Sequence, residues 1–194
     1  YNFSKVDARV KEIDNENFDL VIEIERGKKT KIKKINFVGN KSIRSNRLRE
    51  LIASEEDKFW KIISRNTNLS EDLLNLDERL LTNYYRSNGY YNVDVNSKTA
   101  KINEAGDAEI TYSINEGQRF LIGKITTNVD PVFDKEIFFP LNDIYKDYVG
   151  DYYSPFKVKK LLENIDDLIA NNNLQFVEHN VQETLEANTI SISF

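Results

Sequence analysis

The 194-residue sequence contains one histidine, His179, and no cysteine. Without cysteine there is no thiolate nucleophile, no disulfide and no Cys-type zinc site. A lone imidazole with no second His or Cys lacks the ligand set of a transition metal. Serine, histidine and aspartate all occur, but no Gly-x-Ser-x-Gly elbow presents a serine for attack. The seven glycines are scattered, and no Gly-x4-Gly-Lys-Ser/Thr loop cradles a phosphate. The acidic groups Glu55-Glu56-Asp57 and Asp166-Asp167 lack calcium-loop spacing. They read as a loop and a solvated helix face, and His179 as a surface residue of the final hairpin. The expectation is a protein with no cofactor, no metal and no catalytic centre. Recognition chemistry is better represented. Tyr84-Tyr85, Tyr90-Tyr91, Tyr145, Tyr148 and Tyr152-Tyr153 give large contact area at low entropy cost. Tyr84 reads as core packing with its hydroxyl at the surface. The run 145–153 reads as a loop that is either core or binding face.

These residues must be positioned by modest cores. Hydrophobic residues make up 40% and charged residues 30% of the chain, which suits two small domains better than one thick core. The net charge of −5 is of mixed sign. No stripe of Lys and Arg interleaves with aromatics, so nucleic acid is not an expected partner. No run approaches the ~18 apolar residues of a membrane span. The chain opens directly on a strand pattern without a leader and is expected to be a piece of a longer protein.

The organising feature is an internal repeat. Residues 1–35 lie over residues 91–125 without a gap, at an offset of 90. Tyr1-Asn2 falls on Tyr91-Asn92, Lys11 on Lys101, Ile24 on Ile114, Gly27 on Gly117 and Lys34-Ile35 on Lys124-Ile125. The turns Asp14–Asn17 and Glu104–Asp107 also coincide. Self-similarity at fixed period marks a tandem array of small units.

One full unit lies between the copies. Ile32–Val38 is rich in β-branched and aromatic residues and predicts a strand, stopped by Gly39-Asn40. Ser45 is the expected cap of a helix bearing Leu48, Leu51 and Ile52. Phe59-Trp60 is an expected apolar plug beneath the helix pair. Ser70 caps a second helix, with Glu71 and Asp72 at its positive dipole end. Leu73, Leu76, Leu80, Leu81 and Tyr84 form its stripe, and Asn88-Gly89 ends it. A hairpin follows, Tyr91–Lys101 and Ala108–Asn115, in which Ile110, Tyr112 and Ile114 alternate with polar residues. The unit is β-α-α-β-β.

The last unit repeats this order. A strand is expected over Phe120–Thr127 and a short helix around Phe133–Pro140. A long helix starts at Ser154-Pro155, a cap followed by proline, and ends at Asn171–Asn173. A closing hairpin joins Phe176–Glu183 to Thr189–Phe194.

The runs Ile32–Asn40 and Tyr84–Val95, with Tyr-x4-Gly-Tyr before the second strand, resemble POTRA domains of BamA-type outer-membrane protein assembly factors. Ile114–Ile125 resembles the joint between successive domains. The middle unit is most similar to the third such domain of that family, and the last unit to the fourth. The last unit departs from the pattern: Val129 stands in place of Gly39, and Asn172-Asn173 replace the Gly-Tyr pair. The resemblance implies an α+β fold of tandem domains, each with a three-stranded mixed sheet on two helices. It implies the end of a preceding domain at 1–28, a complete domain at 29–116 and a second at 117–194. It also implies a non-enzymatic, periplasmic scaffold. Its partners would be Bam-type lipoproteins and unfolded outer-membrane β-barrel chains. Contact with the membrane would come only through a C-terminal barrel that these residues do not include. Related arrays serve other outer-membrane translocation and secretion transporters, and a passive spacer is a further alternative. A hydrolase or nuclease fragment would need a metal or an acid–base pair, which the sequence does not offer.

In the family the second strand lies at the sheet's margin, where unpaired N–H and C=O groups can accept an extended chain. The candidate partner-binding edge is therefore Tyr91, Asn92, Val93, Asp94, Val95, Asn96, Ser97 and Lys98. The structural alternative is a solvated edge guarded by Asp94, Lys98 and Lys101. The short joints Glu25–Lys31 and Asn115–Phe120 are expected to act as restricted hinges.

Overall fold

The computed structural model describes residues 5–12, 18–25, 29–58 and 66–194. The expected plug Phe59-Trp60, the turn Asp14–Asn17 and part of the joint Glu25–Lys31 lie outside them. Two compact units make up the chain: Tyr1–Leu81 with Val95–Ile114, and Thr82–Asp94 with Asn115–Phe194.

The first unit begins with an antiparallel hairpin of β1 (Lys5–Glu12) and β2 (Phe18–Glu25). Its register sets Val10 opposite Leu20 and Ala8 opposite Ile22. Directly opposed residues share a face, so Val6, Val10, Phe18, Leu20 and Ile22 form one apolar surface, each 54–67% exposed. Arg9 and Glu23 pair at 2.7 Å on the other face.

The sheet of this unit has the order β3 (Ile32–Val38), β5 (Ala108–Asn115), β4 (Asp94–Ile102). β3 runs parallel to β5, with a register shift between Ile32 and Lys34. The alternation expected for the last strand is realised: Ala108, Ile110, Tyr112 and Ile114 are buried. Helix α1 (Ser45–Leu51) contributes buried Leu48, and α2 (Glu71–Ser87) contributes buried Leu81. Ser70 caps α2, its Oγ accepting from Leu73 N at 3.3 Å. The cap expected at Ser45 is not formed. Arg44 occupies the cap position without a side-chain bond, and Asn40 Nδ2 donates to Ser45 Oγ instead.

Gly39 ends β3 with φ 84°, and a Cβ there would stand 2.0 Å from Ile114 O. Both the turn and the close approach of the neighbouring strand require glycine. One buried carboxylate ties the helices together. Asp77 of α2 accepts from Ala53 N at 2.6 Å, Ser54 N at 3.2 Å and Tyr112 Oη at 2.5 Å. It satisfies the chain just past the end of α1 from the middle of α2, as buried polar groups demand.

The second unit has the sheet order β6 (Leu121–Thr126), β8 (Thr189–Ser193), β7 (Gln182–Glu186). β6 is parallel and β7 antiparallel to β8. A 3-10 turn at Lys135–Phe138, α3 (Leu141–Lys146) and α4 (Pro155–Asn171) complete it. The start of α4 is as expected, with Ser154 Oγ accepting from Phe156 N and proline at the first position. The single short helix expected around Phe133–Pro140 is a 3-10 turn and a separate helix, because Pro140 caps α3 rather than closing a helix. The strand expected at Phe176–Glu183 begins only at Gln182. Asn173 and Phe176 both take positive φ, which a strand cannot accommodate. The core gathers Ile122, Leu141, Tyr145, Leu161, Ile190 and Ile192.

Candidate functional site

Each three-stranded sheet has two margins, and the chain treats them differently. The margin of β3 is closed by the segment between the helices. Ile32 N donates to Thr67 O at 2.7 Å, and Asp57 N donates to Ile32 O at 2.6 Å. Further along, Ile35 N donates to Glu56 Oε1 at 3.1 Å and Arg49 Nη2 to Ile35 O at 2.8 Å. Asp57 also receives Lys33 Nζ at 2.9 Å and Lys31 Nζ at 3.2 Å. The Lys33 ammonium, then Lys31, hold the Asp57 carboxyl below its ordinary range, and Asp57 holds Lys33 above its own. The expected acidic loop Glu55–Asp57 is thus the element that seals this margin.

The margin of β6 is closed the same way. Ile122 N donates to Asp151 O at 2.7 Å, Gly150 N to Ile122 O at 2.8 Å and Tyr153 N to Phe120 O at 3.0 Å. In both sheets the outer strand reached second along the chain, β4 or β7, has one neighbouring strand among the described residues. A strand so placed presents alternate main-chain groups outward, and an extended chain can pair with them.

Five of the eight candidate edge residues lie on β4: Asp94, Val95, Asn96, Ser97 and Lys98. Asp94 is exposed, and Val95 and Asn96 are half-buried. The other three precede the strand. Tyr91 and Asn92 form a turn, and Val93 is buried, its N–H donating to Tyr90 O at 3.3 Å. The Tyr91 ring meets Tyr153 at 5.1 Å and Phe120 at 6.2 Å, edge on. Burial, then the Glu183 carboxylate, push its hydroxyl up. The second open strand, β7, was not among the candidates. The repeat itself is the signal that could have found it, since Gln182–Glu186 is the second strand of the last unit. Its Gln182, Thr184, Leu185 and Glu186 are exposed.

Other candidates resolve as structure. Tyr145 and Tyr153 are core, and Tyr153 Oη donates to Glu183 Oε1 at 2.7 Å. Tyr152 is 46% exposed beneath the Arg119 guanidinium. His179 sits before β7, 2.7 Å from Asp166 Oδ1. Among the described residues no three His, Cys, Asp or Glu groups converge to hold a metal. No described helix is long and apolar enough to cross a membrane.

Tandem β-α-α-β-β units with a parallel first and last strand define a fold class. Residues 30–117 match the model of the POTRA family, described as a surface antigen variable number repeat. The particular resemblance is to outer membrane protein assembly factor BamA. The chain is 24% identical to that of Neisseria meningitidis over 98% of its length, covering 24% of that protein. It is 26% identical to that of Neorickettsia risticii over 62% of its length, covering 16% of that protein. The chain therefore spans a quarter or less of these relatives. Among solved structures, Haemophilus influenzae BamA POTRA3-5 matches with TM-score 0.62 and 18% identity, over 84% of this chain and 64% of that one. POTRA1-2 of Omp85 from Anabaena matches with TM-score 0.54 and 8% identity, over 86% and 94%. At these identities the structures support the fold.

Proposed function

We propose that this segment is part of the periplasmic arm of an outer-membrane β-barrel assembly factor. It works there as a non-enzymatic scaffold that holds extended polypeptide along the open strands β4 and β7. The observation that carries the reading is the asymmetry of the margins. The chain pairs β3 and β6 with its own main chain and, among the described residues, leaves β4 and β7 with one neighbouring strand each. Edge strands invite association and are ordinarily blunted; here one of each pair is blunted and the other kept. Main-chain pairing makes little demand on side-chain identity, which suits many different unfolded barrel chains. Lipoprotein subunits of the assembly machine would use the same groups or the sheet faces beside them.

The domain limits follow from the repeat. Residues 1–28 are the closing hairpin of a preceding domain, 29–116 a complete domain and 117–194 the next. At the offset of 90, Phe18, Leu20 and Ile22 fall on Ala108, Ile110 and Tyr112, which are buried under the helices of their own unit. The apolar face of the β1–β2 hairpin is thus the sheet face that a preceding helix pair covers.

Amide exchange tests the binding mode. An unlabelled ten-residue peptide of alternating apolar and polar residues, taken from a barrel strand, is added in excess. Slower exchange within Asp94–Lys98 or Gln182–Glu186 is the expected result. Binding that leaves both segments unchanged would refute pairing at these strands.

A further inference from the structure

The turns that follow the two long helices have the same backbone. After α2, Gly89 N donates to Arg86 O at 3.0 Å, Tyr90 N to Tyr85 O at 3.1 Å and Asn88 Nδ2 to Tyr84 O at 2.7 Å. After α4, Asn173 N donates to Ala170 O at 3.1 Å, Leu174 N to Ile169 O at 3.1 Å and Asn172 Nδ2 to Leu168 O at 2.9 Å. Asn172 thus stands for Asn88 and Leu174 for Tyr90. Asn173 stands for Gly89, taking φ 53° where the glycine has 93°.

The first of these turns is occupied. Gly89 O accepts from Phe120 N at 2.8 Å, and Asn88 O accepts from Arg119 Nε at 2.8 Å. The Arg119 guanidinium stacks on Tyr152, 3.3 Å from the ring centre, and reaches 5.5 Å from Tyr90. The start of one β-α-α-β-β module therefore seats on the helix end of the module before it.

The second turn has an aromatic held out of the fold. Phe176 is 98% exposed with φ 59°. Positive φ is unfavourable for a bulky side chain, and exposing a phenyl ring completely forgoes its burial. Neither cost is offset within the described residues. Between Asn173 and β7 the chain is four residues longer than between Gly89 and β4, and this extra length carries Phe176 outward.

We propose that residues 172–177 are the seat for the first strand of a further β-α-α-β-β module, supplied by the same polypeptide beyond Phe194, with Phe176 as its aromatic anchor. The occupant would donate a main-chain N–H to Asn173 O, as Phe120 does to Gly89 O, and bring a cation where Arg119 stands. Electrostatics favour the cation. Residues 117–194 hold 7 Lys/Arg against 12 Asp/Glu, whereas residues 1–116 hold 20 of each. The relatives are long enough for such a module, this chain covering 24% of the Neisseria protein. The inference rests on the tandem-module reading.

The test uses the full-length protein with a benzoylphenylalanine photocrosslinker at residue 176 or, separately, at residue 90, and adducts mapped by mass spectrometry. The probe at residue 90 should join Arg119, Phe120 or Tyr152. The probe at residue 176 should join residues after 194 of the same chain. Adducts from residue 176 to another polypeptide or to residues before 194, or no adduct while residue 90 reacts, would overturn the proposal. A probe at residue 90 that misses all three residues overturns the tandem reading itself. As a second measure, Phe176→Asp should raise protease cleavage in the segment after 194 about threefold or more. An unchanged cleavage rate counts against the seat.

Discussion

The guanidinium of Arg119 lies 3.3 Å from the centre of the Tyr152 ring, while its Nε donates to Asn88 O at 2.8 Å. One side chain thus joins the end of α2 to the segment that closes β6. Arg119→Ala removes both the stacking and the hydrogen bond, and is expected to cost about 1–2 kcal/mol in urea unfolding of this unit. Arg119→Lys keeps the charge but loses the planar stack, and should fall between. A lysine variant as stable as the parent would show that charge alone matters here.

Asp77 carries a different load. Its carboxylate serves three donors in a fully buried site. Asp77→Ala orphans all three, and each buried unsatisfied donor costs about 1–3 kcal/mol, so a loss of about 3 kcal/mol or more is expected. Asp77→Asn keeps one acceptor oxygen and should cost less than half as much. Equal losses for both variants would point to the charge itself rather than to the hydrogen-bond count. Tyr112 offers an independent readout. Burial, then Asp77, push its hydroxyl up, so Asp77→Ala should lower its titration midpoint while leaving it above that of free tyrosine.

The seal on β3 is pH-dependent in a direction fixed by its charges. Asp57 has a folded value below its ordinary 3.8, so its contribution is present above 3.8 and disappears as pH falls through the depressed value. Lys33 has a folded value above its ordinary 10.5, so its contribution is present below 10.5 and disappears as pH rises through the raised value. The thermal midpoints of the parent and Asp57→Asn should differ between these limits and converge in acid. Added salt should narrow the difference, since the lysines are exposed. A gap that persists at pH 2 would show that the charge of the Asp57 carboxylate is not its source.

Much of the architecture was legible in the residues. The 90-residue offset places Phe18–Glu25 on Ala108–Asn115, and both are strands of eight residues. Ser154-Pro155 announced the start of α4 through local chemistry alone. Local chemistry failed where tertiary contacts decide. Val93 has the composition of a strand, but the turn that seats Tyr91 against Phe120 and Tyr153 consumes three residues and delays β4 to Asp94. Phe176 likewise looks like the first residue of a strand, and only its backbone angle and exposure set it apart. The sealing of β3 by Asp57 joins residues 25 apart, beyond the reach of any periodicity.

The open strands make the sharpest prediction for binding. In a two-residue hairpin the residues flanking the turn exchange main-chain bonds, and bonded and unbonded pairs then alternate. Ala187-Asn188 is such a turn, with Glu186 opposite Thr189. Glu186, Thr184 and Gln182 therefore bond to β8, while the N–H groups of Leu185 and Glu183 point outward. Proline removes an N–H and is tolerated on an edge strand only at outward positions. Leu185→Pro should keep the fold, judged by near-ultraviolet circular dichroism, yet weaken an added strand peptide about three- to tenfold, the worth of one main-chain hydrogen bond. Thr184→Pro should instead break the β7–β8 ladder and lower thermal stability. On β4, Val95→Pro is the corresponding test of the other edge strand, and combining it with Leu185→Pro should weaken a peptide that engages both strands further. Peptide affinity unchanged in the folded Leu185→Pro variant would remove β7 as a binding strand. Unchanged affinity in a folded double variant would leave main-chain pairing without support in either unit.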